Sequence, residues 1–194
     1  STTPSTSGQL ISAGLRAETN DEALPPHTWR QAERHVQMAV AAVRRLEAMA
    51  IQRATDEANI RQRINRWVEA LRTMDLEGVM SLYAPDIVSF DLVPPLRHVG
   101  AKAKEKNWAD AFAMYQRPLG YEIRDLTLTL GDDVAFGHSL NRVSGTLKNG
   151  NRTDFSVRWT ACFRKIDGNW LIAHDHGSVP VDPESGRALL NLEP

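Results

Sequence analysis

From Trp29 onward, apolar and small residues recur at Trp29, Ala32, Val36, Ala39, Val43, Leu46 and Ala50, with Arg30, Glu33, Arg44 and Glu47 among the charged residues between them. Steps of three and four place these positions along one stripe of a helix, a heptad seam. Thr28 is its expected N-cap, after an interruption at Leu24-Pro25-Pro26. Such a seam suits either a helix laid on its own domain or a helix engaged between subunits. A second helix is predicted from Thr55 or Asp56, where acidic residues suit a helix N-terminus, with Ile60, Ile64, Trp67, Val68 and Leu71 as its apolar stripe. Asp75 is expected to cap a further helix over residues 76–84, with Val79, Leu82 and Tyr83 inward and Pro85 as its stop. A short strand over residues 87–92, a break at Pro94-Pro95 and a helix over residues 101–114 carrying Trp108 and Phe112 complete this half.

The pattern then changes to alternation. Residues 121–130, 134–147, 153–166 and 170–179 read as strands, and Asn149-Gly150 and Asp167-Gly168 as hairpin turns. Helices followed by an antiparallel meander imply an α+β domain with helices packed on one sheet face. The expected division is an extension over residues 1–54, a domain over 55–183 and a tail over 184–194, where Leu189, Leu190 and Leu192 offer a docking stripe. The extension opens on STTPSTSG, a polar segment expected to be disordered.

Composition narrows the functional classes. A formal net charge of −1 gives no electrostatic reason to expect nucleic acid or an anionic membrane surface as partner. The single cysteine, Cys162, rules out an intrachain disulfide and a multi-cysteine metal site. No apolar run is long enough to cross a bilayer and no signal-peptide pattern is legible, so a cytoplasmic location is the expectation. His174, Asp175 and His176 invite a metal reading, but no third ligand has a motif-level spacing to the two histidines, and neither metal nor cofactor is expected.

Two stretches carry a family resemblance: WVEALRTMDLEGVMSLYAPDIVSFD from Trp67 to Asp91, and GNWLIAHDHGSVP from Gly168 to Pro180. Together they make the region 55–183 similar to the nuclear transport factor 2-like superfamily, which includes ketosteroid isomerase, SnoaL-like cyclases and the association domain of calcium/calmodulin-dependent protein kinase II. The resemblance implies a cone-shaped fold, helices on a curved antiparallel sheet, here with an N-terminal helical extension. It also implies a homodimer and an apolar pocket for a small hydrophobic or carboxylated molecule. Asp91 falls where the isomerases keep their general base, and burial in an apolar pocket raises a carboxyl pKa toward a useful range. The oxyanion hole is not reproduced: Trp67 stands where a tyrosine belongs and Ala161 where a protonated aspartate belongs. Losing one such donor typically costs ~3 kcal/mol of barrier, which argues against the familiar steroid chemistry.

Strand parity assigns the remaining candidates. A three-residue loop with a bulge at Asp167-Gly168 pairs Ala161 near Ala173 and Trp159 near Asp175, with His174 and His176 on the opposite, subunit-facing side. A two-residue turn puts the histidines on the face of Trp159 and Ala161 instead. The first arrangement is favoured because its odd-numbered set matches the family's cavity positions. Asp175 then joins Asp91 as a second catalytic candidate, the two carboxyls pushing their pKa values apart. Trp67, Tyr83, Phe90, Trp108, Phe112, Asn141, Trp159 and Phe163 are the candidate ligand-binding residues. The functional expectation is a cofactor-independent isomerase, dehydratase or cyclase, or alternatively a non-catalytic binding or oligomerisation module.

Overall fold

A computed structural model describes residues 26–192 of the chain; the readings made for Ser1–Gly8 lie outside the described residues. In chain order the elements are α1 (Pro26–Thr73), α2 (Leu76–Met80), β1 (Tyr83–Phe90), β2 (His98–Val99), α3 (Ala101–Met114), β3 (Gly120–Leu130), β4 (Val134–Thr146), β5 (Arg152–Ile166) and β6 (Asn169–Ser178). The chain divides into two units, Ser1–Arg45 and Leu46–Pro194. The described part of the first is helical, with exposed apolar side chains at Trp29, Val36, Val40 and Val43.

Two helices were expected where one runs without interruption. Thr28 lies inside α1 rather than capping it, and Thr55 bonds its hydroxyl back to the carbonyl of Ile51 at 3.0 Å instead of opening a new helix. Neither glycine nor proline occurs between Pro26 and Gly78, so nothing in the sequence stops the helix. Pro26 suits the first helical position, where its missing N–H goes unused. Ile60, Ile64, Trp67, Val68 and Leu71 are all buried, the stripe expected from the period.

Asp75 caps α2, accepting from the Gly78 N–H at 3.1 Å. That helix ends at Met80 rather than at residue 84, and Tyr83, Ala84 and Pro85 already belong to β1. A residue before proline is pushed out of the helical region, and the amide of Ile172 donates to the Leu82 carbonyl at 2.8 Å, drawing the segment into the sheet.

The sheet is open, curved and six-stranded, in the order β2-β1-β6-β5-β4-β3. Its pairs are antiparallel except β1 with β6, which run parallel. The short β2, which pairs Ser89 with His98, was not expected. The core between α1 and the inner sheet face holds Trp67, Leu71, Leu82, Ile87, Trp159, Ala161, Phe163, Trp170 and Ile172. Beyond β6, residues 180–189 fold back through a Val181–Ala188 bridge and a bond from the Leu189 amide to the Pro180 carbonyl, while Leu190 and Leu192 stay half exposed.

The hairpin register departs from the favoured reading in a specific way. Ile166 pairs with Asn169, so Asp167 and Gly168 form a two-residue turn, both with positive φ (48° and 77°). That is the geometry of a twisted hairpin turn, and it suits Asp-Gly. An irregularity then falls inside the hairpin: Phe163 pairs with Ile172 and Cys162 with His174, leaving Ala173 outside the ladder. Ala161 therefore opposes Asp175, and Trp159 opposes Gly177. The expected pairings of Ala161 and Trp159 are wrong by two residues on β6, yet the faces come out as expected because the bulge resets the parity.

One buried polar group ties α1 to the far hairpin. Asp56 accepts from Trp170 Nε1 at 2.9 Å and is paired with Lys165 Nζ at 2.9 Å. Burial alone pushes its carboxyl up, but the bonds from Trp170, Lys165 and Gln52 together hold it below the ordinary carboxylate value. A carboxyl depressed on folding contributes stability above its unfolded pKa and loses it as pH falls through the folded one. Asp56→Asn should therefore cost about 2 kcal/mol in urea unfolding near neutral pH. The gap between the two proteins should narrow as the buffer is taken toward about pH 3. A constant gap across that range would show that the charge of Asp56 contributes nothing.

Candidate functional site: a cavity floored by a carboxylate–ammonium–carboxylate cluster

Helices α1 and α3 and the inner face of the sheet converge on one cavity of about 710 Å³. Trp67 from α1, Tyr121 from β3 and Trp159 from β5 make its inner walls, Trp108 and Phe112 come from α3, and Val93, Pro94 and Pro95 stand at one side. Trp67 stacks on Trp159 with ring centroids 5.4 Å apart and meets the edges of Tyr121 and Trp108. The volume lies within the range of small-molecule sites, and the aromatic walls give it a rigid apolar interior.

The polar floor is built around a residue that sequence reasoning missed. Lys104, with 3% of its side chain exposed, lies beside both candidate carboxylates: Nζ is 3.0 Å from Asp91 Oδ2 and 3.4 Å from Asp175 Oδ2. It also donates to Ser89 Oγ at 2.8 Å and lies 5.5 and 5.3 Å from the ring centres of Tyr83 and Trp108. Three oxygens thus surround an ammonium that has three protons. A signal for it was available. Trp108 and Phe112 mark the inward stripe of α3, and one turn before Trp108 that stripe passes through position 104. Among Lys102, Lys104 and Lys106, only Lys104 sits on that stripe, together with Asn107.

The two carboxylates are held differently. Asp91 Oδ2 accepts from Asn107 Nδ2 at 2.6 Å as well as from Lys104, and Oδ1 accepts from the Leu92 amide at 2.7 Å. Burial raises its pKa, but the charge and bond of Lys104 and the bonds from Leu92 and Asn107 outweigh that, so the net direction is down. The expectation of a raised pKa at Asp91 is thereby corrected: its environment is apolar at a distance but donor-rich in contact. Asp175 Oδ2 accepts from the Tyr83 hydroxyl at 3.2 Å, while its buried Oδ1 has no partner. Tyr83 in turn accepts from Trp108 Nε1 at 3.2 Å, and burial followed by the charge of Asp175 pushes its phenol pKa well up, so it stays a donor.

A second buried polar chain runs beside the first. Ser139 Oγ donates to Asn141 Oδ1 at 2.7 Å, and Asn141 Nδ2 donates to the Tyr121 hydroxyl at 2.9 Å. Burial holds the Tyr121 phenol protonated.

The structure brings Asp91, Asp175, Trp67, Trp108, Phe112 and Trp159 together around the cavity. Tyr83 takes part from behind, through Asp175. Asn141 is buried on the inner face but its amide is spent on Tyr121 and Ser139. Phe163 is packed in the core away from the cavity, and Phe90 lies on the opposite sheet face against His174 and His176, at ring centroids of 4.8 and 5.8 Å. Phe90 and Asp91 are neighbours in sequence, and β1 ends at Phe90, so only the aspartate turns toward the cavity. Tyr121 and Lys104 are the additions. His174 is used structurally: Nδ1 lies 2.7 Å from the Val88 carbonyl. Among the described residues no group of three or more His, Cys, Asp or Glu side chains is arranged to hold a metal, and no helix is long and apolar enough to cross a membrane.

An α+β cone with an aromatic cavity at the concave side of its sheet defines a small-molecule-binding module of the nuclear transport factor 2-like class. The SnoaL-like domain family matches residues 60–182, and the chain belongs to that family. It is similar to a nuclear transport factor 2-like protein of unknown function from Pseudomonas putida KT2440, at 34% identity and a TM-score of 0.67 over 73% of this chain and 98% of that one. It is also similar to a putative calcium/calmodulin-dependent protein kinase II association domain from Xanthomonas campestris, at 30% identity, TM-score 0.54, 62% of this chain and 84% of the other. A ketosteroid isomerase-like protein from Erwinia carotovora atroseptica SCRI1043 shares the fold at 24% identity, TM-score 0.55, 62% of this chain and 93% of the other. No curated protein matches the chain.

Replacing Lys104 with methionine removes the only buried cation between the two carboxylates. Lys104→Met should destabilise the fold by on the order of 3 kcal/mol, because the buried Asp175 and the partly buried Asp91 lose their counter-charge. Asp91, having lost the largest of its lowering influences, should titrate higher than in the unmodified protein in a carbon-detected NMR experiment. An unmoved Asp91 pKa would show that Lys104 does not set it.

Proposed function

We propose that this chain binds a small molecule in the Trp67–Tyr121–Trp159 cavity and performs acid–base chemistry on it, as an isomerase, dehydratase or cyclase without a cofactor. The observation carrying this reading is the buried Lys104 flanked by Asp91 and Asp175 at the floor of an apolar cavity. Burying ionisable groups is costly unless they are paired, and a cluster of them on the floor of a cavity is a common mark of a functional site. The base role expected of Asp91 suits Asp175 better. Asp91 has donors on both oxygens, whereas Asp175 keeps one oxygen free of them. Asp91 then acts as a positioning residue that holds Lys104, whose charge balances the two carboxylates, and the unpartnered Trp67 Nε1 is the donor left for negative charge developing on the substrate.

A class-level assay needs no knowledge of the natural substrate. The protein should accelerate exchange of the α-protons of 2-tetralone in D₂O above buffer, followed by proton NMR. Asp175→Asn should reduce that acceleration roughly a hundredfold and Asp91→Asn less. No acceleration at all would leave the non-catalytic binding reading, which the kinase association-domain likeness favours.

The outer sheet face supports a homodimer. Phe90 and Phe136 are 40% and 48% exposed there, and Cys162 and His174 pair between them. A mass measurement by light scattering tests this: Phe136→Asp should shift a dimer to a monomer, and a mass unaffected by the substitution would move the contact elsewhere.

A further inference from the structure

The first unit of the chain carries a charge that the whole-chain total conceals. Between Pro26 and Arg45 stand Arg30, Arg34, Arg44 and Arg45 against the single acid Glu33, a net of +3 in a chain whose total is −1. All four arginines are exposed and have no ion-pair partner among the described residues. In the same stretch of α1, Trp29, Val36 and Val43 are 57%, 61% and 54% exposed, and Val40 is 45% exposed.

Winding at about 100° per residue sorts the two kinds of side chain onto different faces. Trp29, Ala32, Val36, Ala39, Val40 and Val43 fall within an arc of about 100°. The four arginines fall within a second arc of similar width, beginning about 40° beyond Val40, so the basic face adjoins the apolar one along one side. A contiguous apolar stripe of this kind marks an interaction surface, and the charge beside it says what covers it. A second copy of the helix would use the stripe but bring two +3 segments together. The positions flanking the heptad seam are Glu33, Val40 and Glu47 on one side and His35, Ala42 and Met49 on the other, so neither a parallel nor an antiparallel pair gains an ion pair to offset that repulsion. A nucleic acid would engage the arginines and leave Trp29 and the valines in water. An anionic lipid surface uses both faces at once: the apolar side chains enter the acyl boundary, and the arginines, on long stems, stay with the phosphates. Tryptophan at one end of the stripe suits that boundary, being apolar in body and a donor at its edge.

We propose that the Trp29–Arg45 segment of α1 is a docking surface for an anionic phospholipid membrane. It lies in the plane of the headgroups with Trp29, Val36, Val40 and Val43 toward the acyl chains. The helix rests on the bilayer and does not cross it, since no helix among the described residues is long and apolar enough to span one. The whole-chain charge gives no reason to expect this partner because the residues outside the segment carry −4, which hides the local excess. None of these residues lines the cavity, so membrane docking stands or falls apart from the cavity's chemistry.

Co-sedimentation of the full chain with vesicles of mixed phosphatidylglycerol and phosphatidylcholine, against vesicles of phosphatidylcholine alone, tests the docking. Binding to the mixed vesicles should be at least about tenfold tighter and should weaken as salt is raised toward about 0.5 M. Replacing the four arginines together (Arg30→Gln, Arg34→Gln, Arg44→Gln, Arg45→Gln) should reduce affinity roughly a hundredfold. Val36→Glu with Val43→Glu should reduce it as strongly by removing apolar insertion. All six side chains are exposed, so the urea midpoint should not move in either variant, which separates lost docking from lost folding. Equal binding to both vesicle types, no binding to either, or full binding by the arginine variant would overturn the proposal. A light-scattering mass that falls on Val36→Glu with Val43→Glu, with vesicles bound by neither protein, would assign the stripe to a second copy instead. Retention of duplex DNA without vesicle binding would assign the arginines to nucleic acid.

Discussion

Ala173 stands outside the ladder between β5 and β6, and the chemistry of the cavity depends on that displacement. A regular continuation from the Asp167-Gly168 turn would put His174 opposite Ala161 and turn Asp175 to the outer face. With one residue bulged out, Asp175 opposes Ala161 instead, while His174 turns away to the Val88 carbonyl. Bulges next to functional sites commonly re-aim a side chain in this way. The next strand confirms the setting, because β1 pairs in parallel with the bulged segment, Ser89 beside Asp175. That pairing brings the end of β1, and with it Asp91, to the same floor.

Once Asp91 and Asp175 share a floor, the placement of Lys104 follows from electrostatics. A buried and a partly buried carboxylate side by side without a cation would be unfavourable, and α3 delivers the ammonium from the inward stripe it already uses for Trp108 and Phe112. The aromatic neighbours add to this: Tyr83 and Trp108 lie within cation–π range of Lys104 while passing a hydrogen bond along to Asp175. The same contacts that hold the cluster explain its asymmetry. Asp91 is surrounded by donors that hold its pKa below the ordinary carboxylate value, whereas Asp175 keeps one buried oxygen without a donor.

Much of the architecture was legible from periodicity and punctuation. The stripe from Ile60 to Leu71, the Asp75 cap, the limits of α3 and the positions of β3 to β6 all follow from residue spacing and from glycine, proline, asparagine and aspartate at the turns. The breaks that failed were those resting on weaker cues. Thr55 and Asp56 resemble a helix start, but a threonine can bond back within a helix and the aspartate is claimed by Lys165 and Trp170, residues more than a hundred positions away. Residue type marks Phe90 as a cavity wall, and type together with strand parity marks Phe163; the end of β1 and the packing of the core place them elsewhere.

The sequence by itself determined the family, the order of elements and which strand residues alternate, because these depend on local propensity and on patterns of burial that neighbours in the chain share. It also carried Asp91 and Asp175 as chemistry-bearing residues, one by motif and one by parity. Only the tertiary structure decided what those carboxylates meet. Lys104 and Asn107 reach them from α3 and Tyr83 from β1, and the bulge at Ala173 depends on two strand partners at once. Proton affinity and hydrogen-bond saturation are properties of such neighbourhoods rather than of residue types, so the distinction between a spent Asp91 and an available Asp175 appears only when the chain is folded.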